Sequence, residues 1–286
     1  MTDDYVTRAH VSRGVWAPEL RGRTAIVTGA GRLRSIGRAI CLELARQGVN
    51  IVLTGTGRDP SGYPPEEQAL GWRDIESVAE EVRQAGAQAL PLVSDVADPG
   101  AVAGLIDAAV ERFGALDIVV NNAGAARGED RVPVVELSLE AWNKVLHTNL
   151  TGSFLVSQAA ARQMAKDGQG GSIVNISSIA SRVGSAHSAA YASSKAGLNA
   201  LSRVMAVELA PHRIRVNSVL PGVIETSRMD DLGRGEGWRK LIEDRIPLGT
   251  AGNGMEVAYL VTFLCSDMGS WITGQDLAVD GGTSWR

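Results

Sequence analysis

The chain has 286 residues, enough to bury the hydrophobic core of one large domain. Its formal net charge of −4 gives no global attraction to nucleic acid or to anionic membranes, and its two cysteines, Cys41 and Cys265, are too few for a disulfide framework or a zinc site. No apolar run is long enough to cross a bilayer. We therefore expect a cytoplasmic protein with no bound metal and no nucleic-acid or membrane partner.

Residues 1–22 show no sustained hydrophobic period and are predicted to form an N-terminal arm, disordered or lying on the surface. From 23 to 286, short apolar runs alternate with helical patterns, which predicts a single domain. The predicted strands are 24–28, 50–54, 88–93, 116–121, 172–177, 214–220 and 276–280. The predicted helices are 36–47, 72–85, 98–113, 139–166, 188–209, about 238–244 and about 255–266.

The predicted strands read as uninterrupted apolar runs, which is typical of strands buried on both faces. Their alternation with helices predicts an α/β fold: a Rossmann-type, doubly wound parallel sheet of about seven strands with helices on both faces. Ligands of such sheets bind beyond the carboxyl ends of the strands. The irregular stretches 55–71 and 227–254 are therefore candidate binding loops.

A glycine-rich turn joins the first predicted strand to the first predicted helix, with the sequence Thr28-Gly29-Ala30-Gly31-Arg32-Leu33-Arg34-Ser35-Ile36-Gly37. Glycines let the backbone approach a pyrophosphate, whose charge a helix N-terminus stabilises. A purely structural turn is the alternative, but the position between a buried strand and a helix favours a dinucleotide site. The candidate phosphate-binding residues are Gly29, Arg32, Arg34, Ser35, Ile36 and Gly37.

Tyr191 and Lys195 are four positions apart in a predicted helix, so their side chains share a face. Alone, this spacing favours an exposed surface pair. Ser178, however, ends a predicted strand thirteen positions before Tyr191, and strand alternation lets only one of Ser177 and Ser178 face a site. A phenol beside an ammonium can exchange a proton, and a serine hydroxyl can hydrogen-bond a carbonyl oxygen as charge develops on it. Reduction of a ketone needs both.

These motifs, in this order, resemble the short-chain dehydrogenase/reductase family of the compact single-domain type, over about residues 22–284. Residues 121–124 match its N-N-A-G motif, and residues 221–226 match its P-G-x-I-x-T motif. The phosphate loop departs from the family pattern because it is two residues longer and has Ser35 in place of the middle glycine. Within the family the general likeness is to 3-oxoacyl-[acyl-carrier-protein] reductases.

The resemblance implies a catalytic set with Tyr191 as acid/base, Lys195 as its tuner and ribose ligand, Ser178 as carbonyl polariser and Asn149 as support for a proton relay. It implies that Asp95 and Val96 contact the adenine and that 221–226 bind the nicotinamide carboxamide. The other cofactor-binding residues that it implies are Asn122, Ala123, Gly124, Pro221, Gly222, Ile224 and Thr226, beside Tyr191 and Lys195 themselves. It also implies a homotetramer.

The end of the second predicted strand bears on the choice of cofactor. NAD-specific sites place an acid there that hydrogen-bonds the ribose and repels a 2′-phosphate, whereas this chain has Gly55 between Thr54 and Thr56. The threonine hydroxyls could donate to a phosphate, and the cations Arg32, Arg34 and Arg58 could pair with it. The sequence therefore favours NADP(H) over NAD(H), with NAD(H) the alternative if Asp59 reaches the ribose.

The sequence thus predicts an NADP(H)-dependent oxidoreductase that reduces a ketone to a secondary alcohol by hydride transfer, with a 3-oxoacyl thioester as one candidate substrate. An NAD-dependent dehydrogenase of a small, cyclic or sugar alcohol is the first alternative. A non-catalytic dinucleotide-binding sensor is the second, and loss of Tyr191 or Lys195 would favour it, but both are present. The variable stretches 183–190 and 227–254 leave the substrate open.

Overall fold

The computed structural model describes residues 14–233 and 235–285. Seven strands form one sheet in the order β3-β2-β1-β4-β5-β6-β7, and all neighbouring strands are parallel. The strands are β1 Thr24–Val27, β2 Asn50–Gly55, β3 Ala89–Val93, β4 Ile118–Asn121, β5 Gly171–Ile176, β6 Ile214–Pro221 and β7 Asp276–Val279. The predicted doubly wound sheet is confirmed, and the central strands β1 and β4 are buried throughout, as their apolar runs indicated.

Helices cover both faces of this sheet. In the described residues they are α1 Ile36–Arg46, α2 Pro65–Ala69, α3 Ile75–Gln84, α4 Pro99–Phe113, α5 Leu139–Leu146, α6 Ser153–Asp167, α7 Ala189–Leu209, α8 Glu236–Arg245 and α9 Gly254–Cys265. One hydrophobic cluster joins the sheet to α1, α3 and α9, and a second joins it to α4, α6 and α7. Cys41 and Cys265 are buried in the first cluster, and burial raises the pKa of the Cys265 thiol to about 12.

Two predicted helices differ from the observed ones. The helix predicted at 72–85 begins only at Ile75, because Trp72 turns its indole toward the phosphate loop and Asp74 has a φ of 52°, outside the helical range. The helix predicted at 139–166 is interrupted by a π-helical segment, His147–Gly152, between α5 and α6. Such π-helical turns are frequent at functional sites.

The described part of the predicted N-terminal arm lies on the domain, and residues 1–13 are outside the described residues. Ala17 and Leu20 are buried in the cluster under α1, so this stretch lies on the domain with two apolar side chains packed inward. The Trp16 indole N–H donates to Oε1 of the buried Glu43 at 2.9 Å. Oε1 of Gln47 accepts from the backbone N–H groups of Trp16 and Ala17.

The order of the strands reverses between β1 and β4, the neighbours at the centre of the sheet. A crevice opens at such a reversal, beyond the carboxyl ends of the strands, and this is where doubly wound sheets bind their ligands. The turn after β1 and the N-N-A-G motif after β4 both lie at this edge.

Candidate active site

The turn after β1 has no room for side chains at two of its glycines. A Cβ on Gly29, whose φ is +67°, would lie 2.7 Å from the Ala123 Cα. A Cβ on Gly37 would lie 2.8 Å from the Gly29 carbonyl oxygen and 2.9 Å from the Ala30 Cα. Ser35 caps α1, accepting from the Arg38 N–H at 3.1 Å and donating to the Arg32 carbonyl. This tight, capped strand-to-helix turn fits a dinucleotide pyrophosphate.

The loop after β4 is fixed to the same turn. The Thr28 hydroxyl accepts from the backbone N–H groups of Asn122 and Ala123, each at 3.0 Å. The Asn122 side chain donates to the Thr28 and Gly29 carbonyls, each at 2.9 Å. The structure therefore brings the phosphate loop and the N-N-A-G motif together, as the sequence predicted, and Gly124 lies exposed beside them.

The lengthened phosphate loop contacts the irregular stretch that follows β2. The indole N–H of Trp72 donates to the Gly31 carbonyl at 2.7 Å, and Oε1 of Glu67 accepts from the Leu33 N–H at 2.9 Å. The lengthened phosphate loop is thus held by the irregular stretch that follows β2. We read the stretch at 55–71 as the structural complement of the longer loop.

Two of the cations invoked for a 2′-phosphate already pair with carboxylates. Arg34 binds Glu66 at 2.8 Å and Asp230 at 2.5 Å. Arg58 binds Glu67 at 3.0 Å and Asp74 at 2.9 Å. Burial lowers the pKa of Arg58, but the hydrogen bonds to Asp74 and Glu67 outweigh burial and raise the pKa overall. Neither guanidinium is therefore an uncommitted phosphate ligand, whereas Arg32 is exposed.

The premise that no acid lies near the end of β2 is wrong. The Asp74 carboxylate lies between the turn after β1 and the last residue of β2: its oxygens are 1.8 Å from a Cβ placed on Gly31 and 3.2 Å from one placed on Gly55. Asp74 is buried, and its Oδ2 has no hydrogen-bond partner among the described residues. Sequence reasoning missed it because it follows Gly55 by nineteen residues. Thr54 is buried, whereas Thr56 is exposed.

The remaining cofactor candidates line the same edge of the sheet. Asp95 is exposed and accepts from the Ala97 N–H at 2.9 Å, while the neighbouring Val96 is buried in the core. After β6, Gly222 has no room for a Cβ because the Asp280 Cα would lie 2.7 Å from it. Ile224 is buried and bridges to Gly252. Thr226 follows, half-buried, before the Ser227–Leu232 turn.

Tyr191 and Lys195 share one face of α7, as their spacing predicted. The Lys195 Nζ lies 6.0 Å from the centre of the Tyr191 ring and donates to the Ile176 carbonyl at 2.7 Å. Burial, and secondarily the positive charge of Arg228, lower the pKa of Lys195 to about 7. Burial therefore works against the ammonium that the sequence predicts at Lys195.

The two serines after β5 take different roles. The Ser177 hydroxyl donates to the Lys195 carbonyl at 3.2 Å, so it ties the strand to α7. Ser178 instead caps a short 3₁₀ turn, with its Oγ accepting from the Ala180 N–H at 3.1 Å. That bond uses a lone pair, so the Ser178 hydroxyl hydrogen is still available to a carbonyl oxygen.

Asn149 lies in the π-helical segment and is fully buried. Its Oδ1 accepts from the Ala125 N–H at 2.8 Å, and its Nδ2 donates to the Ser194 Oγ at 3.0 Å. The side chain therefore joins the loop after β4 to the helix that carries Tyr191 and Lys195. The structure brings all four predicted catalytic residues to the carboxyl ends of β4 and β5.

Two arginines that sequence reasoning did not single out also lie against Tyr191. The guanidinium carbons of Arg131 and Arg228 are 4.7 Å and 5.3 Å from the centre of its ring. Arg131 follows the N-N-A-G motif and Arg228 follows the P-G-x-I-x-T motif, each within a few residues. A search for charges just beyond these motifs would have found both.

Within the described ranges, no group of three or more His, Cys, Asp or Glu side chains could hold a metal ion. In the same ranges, no helix is both long and apolar enough to cross a membrane. The side chains at this edge of the sheet offer a phenol, an amine, a hydroxyl and two guanidinium groups beside a cradle for a dinucleotide. Such a set suits proton exchange at an oxygen atom.

Comparison with known proteins gives long matches. A family profile described as enoyl-(acyl carrier protein) reductase matches residues 29–284. L-rhamnose 1-dehydrogenase (NAD(P)(+)) of Azotobacter vinelandii is 40% identical, over 91% of this chain and 96% of that protein. A 3-oxoacyl-[acyl-carrier-protein] reductase of Staphylococcus aureus is 36% identical, over 91% of this chain and 97% of that protein. A solved short-chain type dehydrogenase/reductase of Mycobacterium marinum superposes with a TM-score of 0.77 at 34% identity, covering 93% of this chain and 97% of that one.

Proposed function

The chain belongs to the short-chain dehydrogenase/reductase family and is an NAD(P)-dependent oxidoreductase, and we propose that it interconverts a ketone and a secondary alcohol with Tyr191 as the acid/base. The observation that carries this proposal is the grouping of Tyr191, Lys195 and Ser178 at the carboxyl ends of the strands, beside the dinucleotide cradle. A bound nicotinamide supplies or accepts the hydride.

The protein's own residues manage the proton and the substrate oxygen. Tyr191 gives its phenolic proton to the oxygen as the carbonyl is reduced and takes it back in the opposite direction. The free hydroxyl hydrogen of Ser178 stabilises the negative charge that develops on that oxygen. The Lys195 amine donates to the Ile176 carbonyl, and this hydrogen bond holds the amine next to the phenol as a positive charge or a proton donor. Asn149 joins the loop after β4 to α7 through its hydrogen bonds, and we assign it the support of a proton relay that leads to Lys195.

The test is oxidation of reduced cofactor, followed by absorbance, with a panel of ketones and 3-oxoacyl thioesters. We expect turnover with at least one ketone and none in a Tyr191→Phe variant. If the protein binds the cofactor but turns over no member of the panel in either direction, the sensor alternative replaces this proposal.

A sugar is the second candidate substrate, and the observation that favours it is the 40% identity to an L-rhamnose 1-dehydrogenase. A sugar hydroxyl at C1 would meet the same three side chains, with Tyr191 accepting the proton. Adding L-rhamnose with oxidised cofactor to the panel tests this candidate. Production of reduced cofactor would support it, and ketone reduction without sugar oxidation would exclude it.

We further propose that the cofactor is NAD(H) rather than the NADP(H) favoured by the sequence. The support is the position of the Asp74 carboxylate against Gly31 and Gly55. Its Oδ1 pairs with Arg58, but its Oδ2 has no hydrogen-bond partner in the described residues and would accept from a ribose hydroxyl, where a 2′-phosphate would be disfavoured. The pairing of Arg34 and Arg58 with acids removes the two strongest arguments for a phosphate.

The measurement is kcat/KM for NADH and NADPH with one accepted ketone. We expect NADH to be preferred, and Asp74→Asn to shift the ratio toward NADPH by about tenfold or more, because asparagine tolerates the positive φ but carries no charge. Asp59→Asn is the matched control, since Asp59 is an exposed acid of the same stretch. A wild-type preference for NADPH, or an equal shift in both variants, would contradict the assignment to Asp74.

A further inference from the structure

Two guanidinium groups from separate loops flank the ring of Tyr191. Arg131 comes from the loop after β4 and Arg228 from the Ser227–Leu232 turn after β6. Their guanidinium carbons lie 4.7 Å and 5.3 Å from the centre of the ring, and both side chains are half-buried. Both guanidinium groups therefore lie beside the ring whose hydroxyl is proposed to exchange a proton with the substrate.

Most of the hydrogen-bond donors of these two arginines are unused. Across 14–233 and 235–285, Arg228 donates one side-chain hydrogen bond, to the Ala125 carbonyl at 2.7 Å, and Arg131 donates none. The Arg131 Nε is buried without a hydrogen-bond partner. A guanidinium carries several N–H donors in a planar fork that matches oxoanions, and leaving buried donors unpaired is costly.

Positive charge outweighs negative charge around Tyr191. The carboxylate nearest to Arg131 is that of Asp130, which lies 3.3 Å from its Nε and also accepts from the Gly128 N–H. Lys195 stands on the other side with no carboxylate within ion-pair distance in the described residues. After burial, the positive charge of Arg228 is the further cause that lowers the pKa of Lys195. The same charge, after burial, lowers the pKa of Arg131 against the opposing effect of Asp130.

We propose that Arg131 and Arg228 form an oxoanion site for the substrate, so that the carbonyl or alcohol that reacts at Tyr191 belongs to an acidic molecule, a carboxylate or a phosphate ester. This inference rests on the proposed function, because it takes Tyr191 as the place of reaction. An oxoanion between the two forks would occupy their unused donors and offset the repulsion among the three cations. Two arginines from different loops would also fix the orientation of the carbonyl.

Binding to the protein saturated with oxidised cofactor tests the inference, because a ketone cannot be reduced in that complex and no turnover is needed. The probes are two matched pairs: acetoacetate with methyl acetoacetate, and dihydroxyacetone phosphate with dihydroxyacetone. Titration calorimetry gives the Kd of each. We expect at least one anion to bind about tenfold or more tightly than its neutral partner. The pair that shows the difference identifies carboxylate or phosphate.

Arg131→Met and Arg228→Met are each expected to weaken binding of that anion by about 10- to 100-fold and to change its neutral partner by less than about threefold. Arg112→Met is the matched control, since Arg112 lies on α4 and pairs with Gln88.

Equal binding of anion and neutral partner in both pairs would overturn the inference. So would an Arg228→Met variant that loses cofactor affinity while its preference for the anion stays intact, because Arg228 would then serve the cofactor. Absence of ketone turnover with intact anion selectivity would instead overturn the proposed function.

Discussion

Lys195 is a catalytic-site residue whose folded environment differs strongly from solution. It is 5% exposed, anchored on one backbone carbonyl, and its pKa falls to about 7 through burial and the nearby charge of Arg228. In the unfolded chain the same lysine holds its proton up to about pH 10. Between pH 7 and that value unfolding takes up a proton, so the free energy of unfolding rises with pH in this window.

We predict that Lys195→Met removes this dependence in the cofactor-free protein. Between pH 7 and pH 9 the free energy of unfolding of the wild type should rise by about 2 kcal/mol more than that of the variant. Urea unfolding at several pH values measures it. Lys144→Met is the control, because Lys144 is exposed on α5. The unfolding free energy of this variant should change with pH in the same way as that of the wild type. Parallel curves for Lys195→Met and the wild type would show that Lys195 keeps its proton in the folded protein.

At the scale of elements, the turn after β1 and the loop after β4 form one unit, held by hydrogen bonds of the Thr28 and Asn122 side chains and by a close backbone approach at Gly29. Gly29 has a positive φ and no space for a Cβ, whereas Gly22, with a φ of +80°, has no atom within 4 Å of the same position. Both glycines therefore have the positive φ that favours glycine, but only Gly29 also lies too close to a neighbouring backbone for a side chain.

Gly22→Ala should cost about 1 kcal/mol of stability, the usual penalty for alanine at positive φ, whereas Gly29→Ala should cost about 3 kcal/mol or more and abolish cofactor binding. Denaturant unfolding and fluorescence titration with the cofactor measure the two effects. Equal losses of stability in the two variants would show that the loop after β4 can move away from residue 29.

The sequence was sufficient for those elements whose signals are local. Apolar runs located the seven strands, and motif order placed Ser178, Tyr191 and Lys195 at one edge of the sheet. The start of α3 at Ile75, three residues later than predicted, was missed because it depends on Trp72 reaching across to Gly31, a contact that helical periodicity does not encode. Asp74 was missed for the same reason, since a tertiary contact carries it back to the end of β2.

For the molecule as a whole, we predict a homotetramer. Apolar side chains remain on the outer faces of the long helices, with Val204 53% exposed and Val207 77% exposed on α7, and Trp271 before β7 is 98% exposed. Val204 and Val207, three positions apart on α7, form an exposed apolar face that favours contact with another copy. Light scattering should give about four times the 30.1 kDa mass of the chain. A mass near 30 kDa across micromolar concentrations would rule out assembly.

The central claim is that Tyr191 carries the acid/base chemistry, and single-turnover hydride transfer in Tyr191→Phe tests it most directly. The variant lacks only the phenolic oxygen and its proton, so it should bind cofactor like the wild type and transfer hydride about 10²- to 10⁴-fold more slowly with one accepted ketone. Tyr63→Phe is the matched control, since that hydroxyl contacts only the Arg58 carbonyl among the hydrogen-bond partners in the described residues. Hydride transfer at the wild-type rate in Tyr191→Phe, with Tyr63→Phe also unchanged, would contradict the account.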